Sequence, residues 1–446
     1  MTNTGAGRRT ERAESSRAPH VVLLNQAFYP DVVATAQMSK DLADHLVEHG
    51  YRVTAVASRS IYGKSGAVLP KHETIEVPLP DGRVGHIEVR RVAASLFGKK
   101  NLLTRALDFG LFYLLAGARV LTLPRPDVVI SFTTPPFIAL VGLLAKLLRG
   151  SKAVYWLMDL YPDVVVRCGV FREGSLLVRV LERISRLILR RSDAVVVLGR
   201  CMRTRVMEKG SDESRVELIP VWADHSGLEP MAIADNPMRG RWELTPETCC
   251  VMYSGNFGIA HEAGTICRAM ERLRDDGDLE FVFVGGGDRR AEVETFIGEK
   301  SLEHARYLDY VPREQLRESL CAGDVHLISV RTGLEGLIVP SKLFGIMAAG
   351  RPALYVGSPE SEIALVIKET GCGLVVEEGD DEALAGAIRS LAGDREMRER
   401  MGAAGREALQ TRFDTRVACE SWRELIEGLL ERRHEVNHAS DRRNTN

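Results

Sequence analysis

The 446-residue sequence contains no CxxC pair: its eight cysteines, Cys168, Cys201, Cys249, Cys250, Cys267, Cys321, Cys372 and Cys419, are scattered. That spacing argues against a disulfide framework or a thiolate metal site, and for reduced thiols in a cytoplasm. No run reaches the roughly 18 apolar residues that a spanning helix needs. The nearest, Leu111–Leu123 and Phe137–Leu148, read as buried or interfacial helices. There is no excess of either charge: a formal net charge of -2 excludes the basic footprint of a dedicated nucleic-acid binder. The first 19 residues, MTNTGAGRRTERAESSRAP, hold no apolar stretch, which excludes a cleavable secretion signal and predicts a disordered leader. Neither GxGxxG nor GxxxxGK[ST] occurs at the strand ends, so nicotinamide and ATP gain no motif support. No internal repeat is evident.

What remains is an ordinary globular balance, 45% apolar and 27% charged, in a chain long enough for two cores. Short apolar runs alternate with helical stretches. In the first half these are VVLLN from Val21, YRVTAVA from Tyr51, DVVIS from Asp127, AVYWL from Ala153, DAVVVL from Asp193 and VELIP from Val216. The second half restarts at CVMY from Cys250 and continues through EFVFV, VHLIS, Ala353–Val356 and Leu374–Val376. Such βαβ alternation predicts parallel sheets with crossover helices. The expected division is a leader over 1–19, a Rossmann-like unit over 20–225, a linker over 226–246, a second Rossmann-like unit over 247–412, a C-terminal helix over 413–433 and a disordered tail over 434–446. Ligands of such sheets sit at the carboxyl ends of the strands, here in the cleft between the two units.

Several residues at those ends could carry chemistry. In Ser254-Gly255-Asn256-Phe257-Gly258 the glycines admit a ligand to the backbone, and the following helix start offers free N–H groups to phosphate. A tight strand-to-helix turn is the other reading. Gly285-Gly286-Gly287-Asp288 is a second glycine-rich turn, suited to a base or ribose lying on bare backbone, and His261 stands within reach of a phosphate. The segment from Gly333 to Lys342 sets Glu335, a proline-stiffened turn and Lys342 before a helix. A carboxylate there accepts hydrogen bonds from sugar hydroxyls, and a lysine neutralises a diphosphate leaving group. Asp159 ends the AVYWL run and is placed either to orient and deprotonate an acceptor hydroxyl or to cap a helix. His326, inside a strand, reads as core. Asp276-Gly277-Asp278 resembles a metal–nucleotide DxD pair but lies at the wrong end of its strand and reads as a turn.

Between Arg167 and Arg205 stand ten arginines against three acids. Arg179, Arg183, Arg186 and Arg190 recur at helical spacing beside a Leu/Ile/Val face, which makes a basic amphipathic helix. It reads either as a solvated face or as a seat on an anionic inner membrane leaflet, with Lys99, Lys100 and Arg105 adding to the patch.

Together NQAFYPDVVATAQ, DLYPD, YSGNFG and EGLIVPSKLFGIMAAGRP resemble the retaining GT-B-fold glycosyltransferases of family four, over nearly all of residues 20–430. In particular they resemble the branch with amino-sugar transferases of O-antigen and exopolysaccharide assembly. The resemblance implies two Rossmann-like domains facing a cleft, the acceptor against the first and a nucleotide-diphosphate sugar, by family habit UDP-linked, held by the second. It implies a cytoplasmic enzyme, peripheral on the inner leaflet, with a lipid-linked sugar or polysaccharide acceptor and no metal or other cofactor. Glu335 falls on the signature's first glutamate, which in the family contacts the donor sugar. Gly345 stands where the family has a second glutamate on the ribose, and Glu362 is the expected substitute. Ala34-Thr35-Ala36 replaces the usual double glycine of the first loop, so Thr35 and Gln37 are expected to serve on the acceptor side.

Two other classes fit the same fold. A nucleotide-sugar 2-epimerase depends on clustered acids and histidines, of which only Asp159, Glu335 and His261 can be placed here. A non-catalytic GT-B binding module is suggested by Gly345 and the missing first-loop glycines.

Overall fold

The computed structural model describes residues 17–31, 33–61, 68–93, 102–224 and 227–444. Most of the expected leader, and Lys99 and Lys100, lie outside the described residues. In chain order the first unit runs β1 (His20–Leu24), α1 (Ala34–Glu48), β2 (Arg52–Ser58), β3 (His72–Pro78), β4 (Val84–Val92), α2 (Leu102–Thr122), β5 (Val128–Ser131), α3 (Ala139–Arg149), β6 (Lys152–Trp156), α4 (Asp163–Arg167), α5 (Leu176–Arg191), β7 (Ala194–Val197), α6 (Arg200–Glu208) and β8 (Val216–Leu218). Its eight strands order as β3-β4-β2-β1-β5-β6-β7-β8, all parallel except the β3/β4 hairpin. The central strands are buried on both faces, which is why their sequences are unbroken apolar runs. The hairpin escapes the sequence reading because β3, HETIEVP, is an exposed edge strand that alternates polar and apolar residues.

The second unit runs α7 (Pro237–Arg241), β9 (Cys249–Asn256), α8 (Gly264–Arg272), β10 (Leu279–Gly286), α9 (Arg290–Lys300), β11 (Ala305–Leu308), α10 (Leu316–Ala322), β12 (Val325–Ser329), α11 (Lys342–Ala348), β13 (Ala353–Val356), α12 (Glu362–Thr370), β14 (Gly373–Val376), α13 (Asp381–Gly393), α14 (Arg395–Ala408) and α15 (Thr415–Asn444). Its parallel sheet orders as β11-β10-β9-β12-β13-β14. Strand order reverses between β1 and β5 and again between β9 and β12. Those reversals are the switch points where open α/β sheets hold ligands. The fold is therefore the two-sheet α/β architecture expected from the alternation.

Three boundaries differ from expectation. The segment expected as linker is partly helical: Asn236 accepts the Met238 N–H, Pro237 opens α7, and buried Arg239 pairs with Asp324 at 2.9 Å under the second sheet. Helix α1 starts at Ala34, so Thr35 and Gln37, expected in the first loop, stand in its first turn. The last helix runs on to Asn444, since no Gly or Pro follows Gly428 to stop it.

Helix α15 returns to the first unit. Trp422 is fully buried against Trp156, ring centroids 4.4 Å apart, and Trp222 stacks on Trp156 at 5.4 Å. Tyr51 donates to Glu427 and His45 meets Glu420 at 3.3 Å, so α1 and α15 are tied across the whole sequence.

Candidate functional site

The glycine-rich segments of the second unit are strand ends before they are loops. Strand β9 continues through Asn256 and β10 through Gly286, with Gly255 paired to Gly285 and Asn256 to Gly286. A Cβ on Gly285 would lie 2.2 Å from the Gly255 carbonyl, and one on Gly287 2.5 Å from Phe257 backbone. The two segments therefore need glycine to pack on each other, and Gly286 closes the pair by accepting the Phe257 N–H at 2.6 Å. Phe257 is fully buried and stacks on Tyr253, so its side chain belongs to the core and only its backbone can face a ligand. Asn256 is exposed at the tip. Gly255, at φ 111, sits beside the Lys342 side chain: a Cβ there would approach Lys342 Cε to 3.1 Å.

Lys342, first residue of α11, reaches back over this strand end. Its ammonium donates to the Asn256 carbonyl at 2.8 Å, lies 3.3 Å from His261 Nε2 and stands 4.8 Å from the Tyr253 ring centroid. Each partner is an acceptor or a π face, none a carboxylate. Desolvation pulls its pKa down to about 7. His261 is buried and held by a 2.5 Å bond between Nδ1 and the Ser329 carbonyl. A carbonyl can only accept, so Nδ1 carries the proton and Nε2 offers its lone pair to Lys342. Burial, then the Lys342 charge, push the imidazole down to about 3, so it stays neutral.

Across the cleft, Asp159 and Glu335 flank one residue, Ile338, each forming an isolated backbone bridge to it. The Leu160 N–H donates to the Leu337 carbonyl at 2.9 Å, so the loop before α11 lies along the strand end after β6. Burial raises the Asp159 carboxyl to about 6, and its N–H points to Thr133 Oγ1 at 3.4 Å. Asp159 is thus a cleft residue and caps no helix, since α4 begins only at Asp163. Both Glu335 carboxylate oxygens lie 3.0 Å from the Gly333 N–H, which folds the acid onto its own loop. Gly336, at φ 73, lets that loop pass within van der Waals reach of Cys201 backbone.

Glu362, expected on the ribose, stands where the two units meet. Its carboxylate crosses to the first unit, accepts the Arg200 N–H at 2.6 Å and pairs with the Arg200 guanidinium at 3.1 Å. A carboxylate at the first turn of α6 meets unpaired N–H groups, which accounts for the attraction. Thr35 and Gln37 stand at the carboxyl end of β1, where Asn25 Nδ2 reaches the Thr35 carbonyl at 3.5 Å. Arg186 is bound by Glu182, whereas exposed Arg179 and Arg183 have no acidic partner among the described residues. His326 is core and its Nε2 meets the Leu320 carbonyl, as expected of a strand residue. Sequence reasoning missed Thr133, Arg289 and Arg331. Burial pushes the Cys168 thiol up, but the two arginines act on it in the opposite sense across the cleft. No motif marks them, because only the folded sheets bring them beside β6.

Residues 13–222 match the description "Glycosyl transferase 4-like domain" and residues 239–408 match "Glycosyl transferases group 1". The chain belongs to glycosyltransferase family four. Among curated relatives, the probable glycosyltransferase WbjE of Pseudomonas aeruginosa is 29% identical over 69% of this chain and 76% of its own length. The lipopolysaccharide core biosynthesis glycosyltransferase LpsD of Rhizobium meliloti is 26% identical over 63% of this chain and 88% of its own. Among solved structures, Anabaena HepE in complex with UDP and glucose superposes with a TM-score of 0.67 at 14% identity, covering 92% of this chain and all of that one. The glycosyltransferase thus has the GT-B fold, with the Lys342–His261 pair at the carboxyl end of β9 and Asp159 and Glu335 meeting at Ile338 where the two units touch.

Proposed function

We propose that this glycosyltransferase transfers a hexosyl or N-acetylhexosaminyl unit, with retention of configuration, from a UDP-linked sugar to a lipid-linked or polysaccharide acceptor in surface-polysaccharide assembly. The observation that carries the reading is the Lys342 ammonium. It is held by two neutral acceptors at the carboxyl end of β9, with no carboxylate paired to it among the described residues. A diphosphate is the ligand such a cation lacks. In this reading the donor's diphosphate takes Lys342, and the sugar lies against the Gly333–Gly336 turn with Glu335 on its hydroxyls. The bond from the anomeric carbon to the phosphate oxygen breaks, its electron pair leaving on the diphosphate that Lys342 neutralises. The acceptor oxygen bonds to the same face of that carbon. Its proton passes to Asp159, whose raised pKa suits a base near neutral pH. Support for the donor is that HepE was solved with UDP and glucose, and for the pathway that LpsD is named for lipopolysaccharide core biosynthesis.

The test is calorimetric titration with UDP, GDP and ADP, followed by NMR of the anomeric proton in the product made from the matching sugar nucleotide. Tight binding of UDP and an α product from an α donor are expected. Absence of any nucleotide binding at millimolar ligand, or an inverted product, overturns the reading.

A further inference from the structure

Away from the cleft, α1 ends on a pair of imidazoles that face a carboxylate of α15. Helix α1 runs back from the carboxyl end of β1 to the start of β2, so His45 in its last turn and His49 at its C-cap lie at the opposite end of the sheet. Four residues apart on a helix, the two side chains share a face, and their ring centroids are 4.2 Å apart. Glu420, in the second turn of α15, stands 3.3 Å from His45 Nε2. One ligand atom from each of the three residues lies within 4.8 Å of the other two. Tetrahedral zinc, with bonds of about 2.0 Å, holds its ligand atoms about 3.3 Å apart. The His45–Glu420 contact has that spacing, and rotation of the exposed His49 side chain brings in the third ligand.

The protonation of the three groups suits a cation. His49 Nδ1 lies 2.8 Å from the His45 carbonyl, which can only accept, so Nδ1 carries the proton and Nε2 keeps its lone pair. Ligating histidines are commonly oriented in this way, by the second nitrogen on a backbone carbonyl. Burial, then the neighbouring His49, lower the His45 pKa below the ordinary imidazole value, so its ring is neutral and able to ligate at pH 7. Arg423 holds the Glu420 carboxyl down at about 2, so it is charged. The end of α1 adds the negative pole of its dipole, and Glu48 and Glu427 stand in the same neighbourhood. Arg423 is the competing cation. It bonds both Glu420 and Glu427, so yielding Glu420 to a metal leaves it Glu427.

Two imidazoles and a carboxylate are the ligands of borderline transition ions, whereas magnesium and calcium take oxygen ligands. We propose that His45, His49 and Glu420 form a site for a zinc-class divalent ion that clips the end of α1 to α15, with water in the fourth position. The site lies at the far end of α1 from the cleft, so the ion is no cofactor of sugar transfer, and the proposal stands apart from the choice of donor. Its effect is on anchoring. Helix α15 follows α14 of the second unit and returns to the first, and the ion adds to buried Trp422 a second, metal-dependent anchor for that return.

The test is calorimetry of the untagged full chain, freed of metal with EDTA and titrated with zinc chloride or magnesium chloride, with melting temperatures taken in parallel. Wild type should bind one zinc per chain, melt at a higher temperature with zinc than without, and ignore magnesium. His49→Gln and Glu420→Gln should each weaken zinc binding at least about tenfold, the cost of losing even a supporting group at a metal, and remove the zinc-dependent rise. His49 is exposed, so an unchanged metal-free melting temperature verifies the fold of that variant. Cobalt(II) in place of zinc should give the visible absorption of a four-coordinate complex and lose it in His49→Gln. Four results would overturn the proposal: no binding at millimolar zinc, equal binding of magnesium, zinc binding indifferent to His49→Gln, or a zinc-dependent dimer that shares the ion between two copies.

Discussion

Lys342 Nζ lies 3.3 Å from His261 Nε2, a cation facing the lone pair of an imidazole that is itself fixed by the Ser329 carbonyl. Desolvation leaves the ammonium with a pKa of about 7. A bound diphosphate restores the charged form, so its pKa in the complex rises. Binding therefore takes up a proton whenever the pH lies between the free and the bound value. Nucleotide diphosphate affinity should be constant well below pH 7 and fall by up to tenfold per unit above it. Calorimetry in buffers of different ionisation enthalpy would detect the proton. Lys342→Met should abolish both the uptake and the pH dependence and weaken binding by roughly 10- to 150-fold, the worth of a charged hydrogen bond.

Asp159 predicts the acid side of the rate profile. As a base it works only ionised, and burial holds its carboxyl at about 6. The transfer rate at saturating donor should fall as pH drops through about 6, and Asp159→Asn should lower kcat by roughly 10²- to 10⁴-fold and remove that limb. A full rate in Asp159→Asn would take the residue out of the chemistry.

Glu362 separates two roles cleanly. Its carboxylate joins the second unit to the first turn of α6 through Arg200, with Glu369 and Arg412 extending the network. Glu362→Ala should leave UDP affinity within a few-fold of wild type while loosening the two units, read as a larger radius of gyration by small-angle scattering. A large loss of UDP affinity with unchanged scattering would instead restore the ribose contact.

The C-terminal helix should be part of the first unit's stability. Trp422 is fully buried between Trp156 and its neighbours, so Trp422→Ala should destabilise the chain by about 3–5 kcal/mol. Denaturant melts would show it. A change under about 1 kcal/mol would mean that α15 docks loosely.

The local pattern of residues by itself determined that two parallel α/β sheets follow one another, because a strand buried on both faces must be apolar throughout and a crossover helix must be amphipathic. It marked Lys342, His261, Glu335 and Asp159 as strand-end residues for the same reason. What it could not decide was which of them meet. Lys342 and His261 are 81 residues apart, and only the close packing of α11 over β9 brings the desolvated ammonium onto the neutral imidazole. Glu362 carries no mark in its own segment that a backbone N–H of α6, 162 residues earlier, will occupy it. The glycines at 285 and 287 look like a ligand cradle in the linear sequence, yet the neighbouring strand demands them. Such choices belong to the tertiary structure because desolvation, charge pairing and steric approach depend on distances through space, and sequence separation does not encode those distances.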